Sequence, residues 1–420
     1  MNLLVLCPHF APDVAPTGEV ISSITGELVA RGHRLHVVTS LPWYRHHQIE
    51  EGWGGKAVRR QATDWGRITR VHPFPTDKRN IPARALGFGG FTALTGIVAA
   101  ATRPRPDAVL AMSPPLTLGL GGWVTARLWG APFVFNIQDV FPDVAVELGV
   151  ITNRSIIGMA SALERFTYLR SDAVTVLSDD LRDNVVAKLR GNRPERVRVI
   201  PNFVDTQHIR PAPKENSYRA EFGLTGKTVV MYAGNVGFSQ SLDLVLDAAA
   251  ALADDPDLVF VINGGGAARA DLERKAAGAR NVRFVDMQPK DRLPDVLAAA
   301  DVHVVPLRRG LARSSVPSKM YSILAAGRPI VASVDPGTEV AEVVERASAG
   351  VAVPPDDPEA FTKALARVVA EPEEMERMGR NGRAFVERWA SPAAIAEHYE
   401  ALFEELRAER PRFLRRGEGI

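Results

Sequence analysis

The sequence holds a single cysteine, Cys7, among 420 residues, so no internal disulfide can form and the chain suits a reducing compartment. Cys7 falls in the first apolar run, where an inert buried thiol is the plain expectation. An excess of either charge is also lacking: 51 Lys and Arg against 49 Asp and Glu leave a formal net charge of +2, which gives no argument for a nucleic-acid partner. No charge-free run reaches the roughly 20 apolar residues that a spanning helix needs. The N-terminus passes from Met1 straight into the apolar residues 3–6, with no basic leader and no cleavage site after it. The expected location is therefore cytoplasmic. Metal-binding patterns are scarce too. Asp255-Pro256-Asp257 falls between a helix and a strand and reads as a turn, and His46-His47 has no Cys or carboxylate pattern nearby. Neither a metal nor another resident cofactor is expected.

What is present describes a soluble globular protein, with 46% hydrophobic and 24% charged residues. The length is too great for one ordinary core and predicts two domains. Short β-rich apolar runs alternate with longer helical stretches, the mark of a parallel sheet with crossover helices. In the first half the strand candidates are residues 3–7, 35–39, 108–112, 133–137, 173–177 and 197–200, with helices such as 18–31 and 156–169 between them. Residues 201–215 lack periodicity and hold Pro201, Pro211 and Pro213, as a linker would. The alternation then restarts with strands at 229–233, 259–263, 282–285, 302–305, 330–332 and 351–353. The predicted fold class is α/β, with two Rossmann-like doubly wound domains facing across a cleft. The domains run from 1 to 205 and from 206 to 391, with a last helix at 392–410 packing back on the first. Ligands of such sheets bind beyond the carboxyl ends of the strands.

Candidate site residues gather at those strand ends. Gly18 follows the first strand and opens a helix, where a glycine lets the backbone approach a ligand and aims helix N–H groups at an anion; a simple turn explains it equally well. Tyr232-Ala233-Gly234-Asn235-Val236-Gly237 repeats the device in the second domain, and Gly264-Gly265-Gly266 closes the next strand. None of these is a GxGxxG fingerprint, which argues against a dinucleotide. The most informative stretch runs from Ser314 to Ala332. Pro317 suits a first helical turn and Gly327 a helix stop. Lys319 near the helix start opposes the macrodipole. A bound diphosphate resolves that conflict, with Lys319 and the free N–H groups sharing its charge; a lysine pointing to water is the plain alternative.

The run Pro317-Ser318-Lys319, followed by Ala325-Ala326-Gly327-Arg328-Pro329-Ile330-Val331-Ala332, resembles the donor-binding segment of the retaining family-four glycosyltransferases of the GT-B class. Gly32-His33-Arg34-Leu35-His36-Val37, Pro201-Asn202-Phe203-Val204-Asp205, the Gly234–Gly237 loop, and Asp301-Val302 leading to Pro306-Leu307 match further pieces in order. The resemblance covers residues from about 3 to 400. Within the family the chain is most similar to the branch that serves exopolysaccharide, O-antigen and colanic-acid synthesis, through Ile137-Gln138-Asp139-Val140-Phe141-Pro142-Asp143 and Ser318-Lys319-Met320-Tyr321-Ser322-Ile323-Leu324.

The resemblance implies a nucleotide-sugar donor, UDP-linked first of all, and a polyprenyl-diphosphate-linked acceptor. It implies retention of configuration, with no metal. It places Gly18, Gly234, Asn235, Pro317, Ser318, Lys319, Ser322 and Glu339 at the donor and Asp139 at the reacting centre. Asp139 is otherwise a turn carboxylate, and Glu339 a capping-box partner. The chain departs from the family at Ser314 and Ser322, which stand where two glutamates are usual. Asn235 and Gln240 likewise replace a basic pair. A nucleotide-sugar epimerase of the same fold, or a non-catalytic nucleotide-sugar-binding subunit, remains open. Finally, Lys78, Arg79 and Arg84 lead into an apolar stretch with Leu86, Phe88, Phe91 and Leu94, and Arg412, Phe413, Leu414, Arg415 and Arg416 close the chain. This pattern suits peripheral contact with an anionic membrane, or else a buried crossover helix.

Overall fold

The computed structural model describes all residues except 14, 46–47, 76–80, 144–145, 147–150, 238, 311–318 and 410–420, and only the backbone of 81–85. The chain forms two compact units. The first comprises Met1–Pro201 and the chain from Ile395 onward, the second Asn202–Ala394.

Among the described residues the first unit carries an eight-stranded sheet in the order β3-β4-β2-β1-β5-β6-β7-β8. Its strands are β1 (Asn2–Leu6), β2 (Arg34–Ser40), β3 (Val58–Thr63), β4 (Gly66–Val71), β5 (Ala108–Ser113), β6 (Phe133–Ile137), β7 (Ala173–Val176) and β8 (Val197–Val199). All neighbours are parallel except β3 and β4, which form an antiparallel hairpin. β1, β5 and β6 are buried along most of their length by helices on both faces, which is why their sequences read as continuous apolar runs. The hairpin escaped the sequence reading. β3 is an exposed edge strand with the sequence Val-Arg-Arg-Gln-Ala-Thr, and β4 reads Gly-Arg-Ile-Thr-Arg-Val, so neither shows an apolar run.

The helix Ile81–Ala100 lies against β2, β4 and the helix Leu118–Trp129. It buries Phe91, Thr95 and Ala99, while Leu86 is 79% and Ile97 69% exposed. It is therefore a crossover helix with one face on the sheet and apolar residues on the other. Lys78, Arg79 and residues 411–416 lie outside the described residues, as does the side chain of Arg84. No helix among the described residues is long and apolar enough to cross a membrane.

The last helix, Pro392–Ala408, passes from the second unit into the first. Its buried Tyr399 hydroxyl accepts from Asn136 Nδ2 at 2.9 Å and bonds Thr175 Oγ1 at 3.2 Å. Glu400 holds Arg31 at 2.5 Å and His33 Nε2 at 2.9 Å.

Among the described residues the second unit holds six parallel strands in the order β11-β10-β9-β12-β13-β14. They are β9 (Thr228–Ala233), β10 (Leu258–Asn263), β11 (Val282–Val285), β12 (Val302–Pro306), β13 (Ile330–Ser333) and β14 (Gly350–Val353). This is the doubly wound order in which the winding reverses once, between β9 and β12, and ligands of such sheets sit at that reversal. The first unit reverses between β1 and β5. Asp301 has a structural job in the second unit. Its carboxylate accepts from the buried Arg219 at 2.6 Å, from Lys214 at 2.6 Å and from the Val229 backbone N–H at 2.8 Å. The linker end, β9 and β12 are thereby held together. Asp257 N–H bonds Asp255 Oδ1 at 2.9 Å, so that acidic triplet is a turn.

Candidate active site

Glycine loops meet at the winding reversal of the second unit. Gly234 follows β9 with φ +141°, and Gly264 and Gly266 follow β10 with φ +152° and +155°. A β-carbon on Gly264 would run into the Gly234 carbonyl oxygen, and one on Gly266 into that of Val236. The two loops are also tied by hydrogen bonds, Gly234 N–H to Asn263 O and Val236 N–H to Gly265 O, both at 2.9 Å. The second glycine cluster is thus there to let the first loop lie flat on it.

The other side of Gly234 faces Lys319. The position of a β-carbon there would be 3.7 Å from both Lys319 Cδ and Nζ. Lys319 opens the helix Lys319–Ala325, and its Nζ stands 4.0 Å from the centre of the Tyr232 ring. The Tyr232 hydroxyl in turn donates to the Asn235 carbonyl at 2.5 Å. Lys319 has no carboxylate partner among the described residues. Burial alone pushes its pKa down to about 7. A half-buried ammonium over an aromatic face, beside a glycine at a winding reversal, has the chemistry to meet an anionic ligand.

The remaining donor-side residues fall as follows. Ser322 is half-buried on the same helix, three residues on from Lys319. Glu339 is buried and accepts from the Tyr321 hydroxyl at 2.9 Å, which joins the start of the helix Glu339–Arg346 to the Lys319 helix. Asn235 is exposed, and Gln240 Oε1 accepts from Gly237 N–H at 3.0 Å. Pro317, Ser318 and Ser314 lie outside the described residues.

In the first unit Asp139 follows β6 by two residues. Its carboxylate has no hydrogen-bond or ion-pair partner among the described residues; the residue is exposed, and the partial loss of water around its carboxylate raises its pKa. Its neighbour in the same motif is engaged: Asp143 holds Lys188 at 2.8 Å, and Lys188 also bonds the buried Glu164 at 2.7 Å. Gly18 is buried in the helix Pro16–Ala30, where a β-carbon would lie 3.0 Å from His9 Cβ and 3.3 Å from the Asp13 carbonyl. Its bareness makes room for the loop after β1. That loop carries a pair the sequence reading passed over, His9 Nδ1 bonded to Asp13 Oδ2 at 2.7 Å. The signal was a histidine and an aspartate four apart directly after the first strand. Tyr232 and Tyr321 were also missed as site residues, because strand and helix positions of that kind read as core.

Two doubly wound parallel sheets in one chain are the architecture of the GT-B class. The model of the family described as glycosyl transferases group 1 matches residues 227–371, and that of the glycosyl transferase 4-like domain matches residues 17–202. WcaI of Escherichia coli K12, named for a role as a colanic acid biosynthesis glycosyl transferase, is 30% identical over 386 residues, covering 89% of this chain and 93% of that one. The chain belongs to the group 1 glycosyl transferases. Two solved structures share the fold. Sucrose-phosphate synthase from Thermosynechococcus elongatus has a TM-score of 0.68 at 18% identity, over 98% of this chain and 100% of that one. Anabaena HepE, solved in complex with UDP-glucose, has a TM-score of 0.62 at 15% identity, over 96% and 100%.

Proposed function

We propose that this protein transfers a sugar, with retention of configuration, from a nucleoside-diphosphate donor to a hydroxyl of a lipid-linked glycan during cell-surface polysaccharide synthesis. UDP is the first candidate for the nucleotide, and a polyprenyl diphosphate for the acceptor's carrier. One observation carries the donor half: Lys319 stands half-buried and, among the described residues, without a carboxylate, beside Gly234 at the winding reversal. Burying an ammonium is costly unless an anion meets it, and a diphosphate supplies that anion. The 30% identity to WcaI over nearly the whole chain supports the polysaccharide role.

In this reading the bond from the anomeric carbon to the donor phosphate breaks as the acceptor oxygen attacks from the same face. The acceptor's proton passes to a phosphate oxygen. Lys319 balances the charge growing on the leaving diphosphate, an electrostatic contribution that needs no rearrangement during the step. Asp139, unpaired among the described residues and with a raised pKa, acts at the sugar or acceptor end. Peripheral contact with an anionic membrane belongs to the same reading, since a polyprenyl carrier stays in the bilayer. The test is transfer from UDP-glucose, UDP-N-acetylglucosamine and other nucleotide sugars to lipid extracts of the producing cells. Mass spectrometry would identify the product and NMR its anomeric configuration. A glycolipid with the donor's configuration is expected; an inverted product, or free epimerised sugar, would contradict the reading.

A further inference from the structure

The first unit has its own winding reversal, between β1 and β5, and the loop leaving β1 there is built with unusual care. Arg70, on β4 and only 1% exposed, donates from its guanidinium to the carbonyls of Phe10 at 3.3 Å, of Ser40 at 3.5 Å and of Ala11. Ser40 Oγ donates to Pro8 O at 2.6 Å, and Ala11 N–H to Ser22 Oγ at 3.0 Å. The loop so fixed presents His9 and Asp13. The Asp13 side chain is fully buried and accepts from His9 Nδ1 through Oδ2 and from Tyr44 N–H through Oδ1 at 3.1 Å, while the His9 side chain remains 11% exposed. Trp43 and Tyr44, which follow β2, place their rings 5.7 and 5.2 Å from the imidazole.

A buried carboxylate at Nδ1 selects, for the neutral ring, the tautomer with its proton on Nδ1, which leaves the Nε2 lone pair to accept a hydrogen bond. Nε2 has no hydrogen-bond partner among the described residues. A hydrogen-bond acceptor fixed among aromatic rings, at the carboxyl end of a strand at a winding reversal, is the chemistry that takes a sugar hydroxyl. The Lys319–Gly234 cluster described above belongs to the second unit, whereas His9 and Asp13 belong to the first. We propose that His9 Nε2 accepts a hydrogen bond from a hydroxyl of the glycan acceptor, with Asp13 and Arg70 as positioning residues that fix the ring and its loop. This rests on the acceptor half of the reading above. It adds a binding residue and makes the Asp13-bound tautomer a condition of acceptor recognition.

The test has two arms, both on the full-length chain. In the first, ring-labelled histidines are followed by nitrogen NMR, with the His9 signals identified by their loss in His9→Gln. The free protein is expected to show His9 protonated at Nδ1. Glucose, galactose or N-acetylglucosamine, each at about 100 mM, is expected to move the Nε2 resonance, and Asp13→Asn to abolish that movement. An Nε2-protonated ring, or no movement with any of the three sugars, would overturn the proposal. In the second arm, His9→Ala lowers kcat/KM for the lipid-linked acceptor by about tenfold, the size of one hydrogen bond, and leaves the Kd for UDP within about twofold. Gly18→Ala, which crowds His9 without removing it, gives a smaller loss in the same direction. Equal losses in UDP affinity and in acceptor kcat/KM would assign His9 to the donor and overturn the proposal. A wild type that neither binds UDP nor transfers sugar defeats the donor reading instead, and the first arm still decides His9.

Discussion

Lys319 is where the residue scale carries most weight, because its setting makes stability and function oppose each other. The folded protein releases its proton at a pKa pushed down to about 7, against 10.5 for the ordinary lysine. Between those values the unfolded chain binds more protons, so this group's contribution to stability rises with pH across that window and is most unfavourable below it. Lys319→Met should therefore raise the melting temperature of the ligand-free protein, more at about pH 6 than at about pH 10. An equal shift at both would show that the ammonium bears no burial cost. The same charge should hold the donor. Lys319→Ala is expected to weaken nucleoside-diphosphate binding by roughly 1.5–3 kcal/mol, the range for hydrogen bonds to charged groups, as read by calorimetry. In the wild type that affinity should decline as pH rises above 7. At the other candidate centre, Asp139→Asn should cut turnover while leaving donor affinity within a few-fold. Normal turnover would reduce Asp139 to a turn carboxylate.

At the scale of elements, the second unit depends on a charge pair more than its sequence suggests. Arg219 and Asp301 are both buried, their side chains 1% and 5% exposed. Arg219→Met would leave Asp301 with only the exposed Lys214 and one backbone donor. A loss of about 3–5 kcal/mol is expected, as when one partner of a buried pair is removed, measured by denaturant unfolding. An unchanged midpoint would contradict the structural role given to Asp301. Elements of this kind also show what was legible beforehand. Twelve strands could be read because burial leaves them mostly apolar, as in β1, β5 and β10. The β3–β4 hairpin could not, since its strands are rich in charged residues, among them the buried Arg70, which looks like a surface residue until its three carbonyl partners are seen. The glycine loops were legible as strand-end features. That Gly264 serves the backbone of Gly234 rather than a ligand is a matter of two chain segments meeting, which spacing along one segment cannot show. His9 and Asp13 were passed over for a similar reason, as the groups around them come from Trp43 and Tyr44 after β2.

For the whole molecule, the last helix is the element that belongs to both units by sequence and to the first by contact. Tyr399→Phe removes one hydroxyl and leaves the buried Asn136 and Thr175 short of a partner. A loss of about 1–3 kcal/mol is expected, and a neutral change would show that Asn136 finds another partner. The exposed apolar residues Leu86 and Ile97 and the basic residues Lys78, Arg79 and Arg84 lead to a further expectation, salt-sensitive binding to anionic liposomes. Each basic residue near such a surface contributes about 1 kcal/mol, so serine at those three positions should weaken sedimentation with the vesicles. A wild type indifferent to anionic vesicles at low salt would point to a soluble acceptor. The central claim, a nucleotide-sugar transferase whose donor rests on Lys319 beside Gly234, is tested most directly by thermal shift of the full-length protein with a panel of nucleotide sugars, the wild type beside Lys319→Ala. A ligand that binds only the folded protein raises its melting temperature. The account predicts stabilisation of the wild type by at least one nucleoside-diphosphate sugar and a much smaller shift in the variant. Equal shifts in both proteins, or none with any nucleotide sugar, would contradict it.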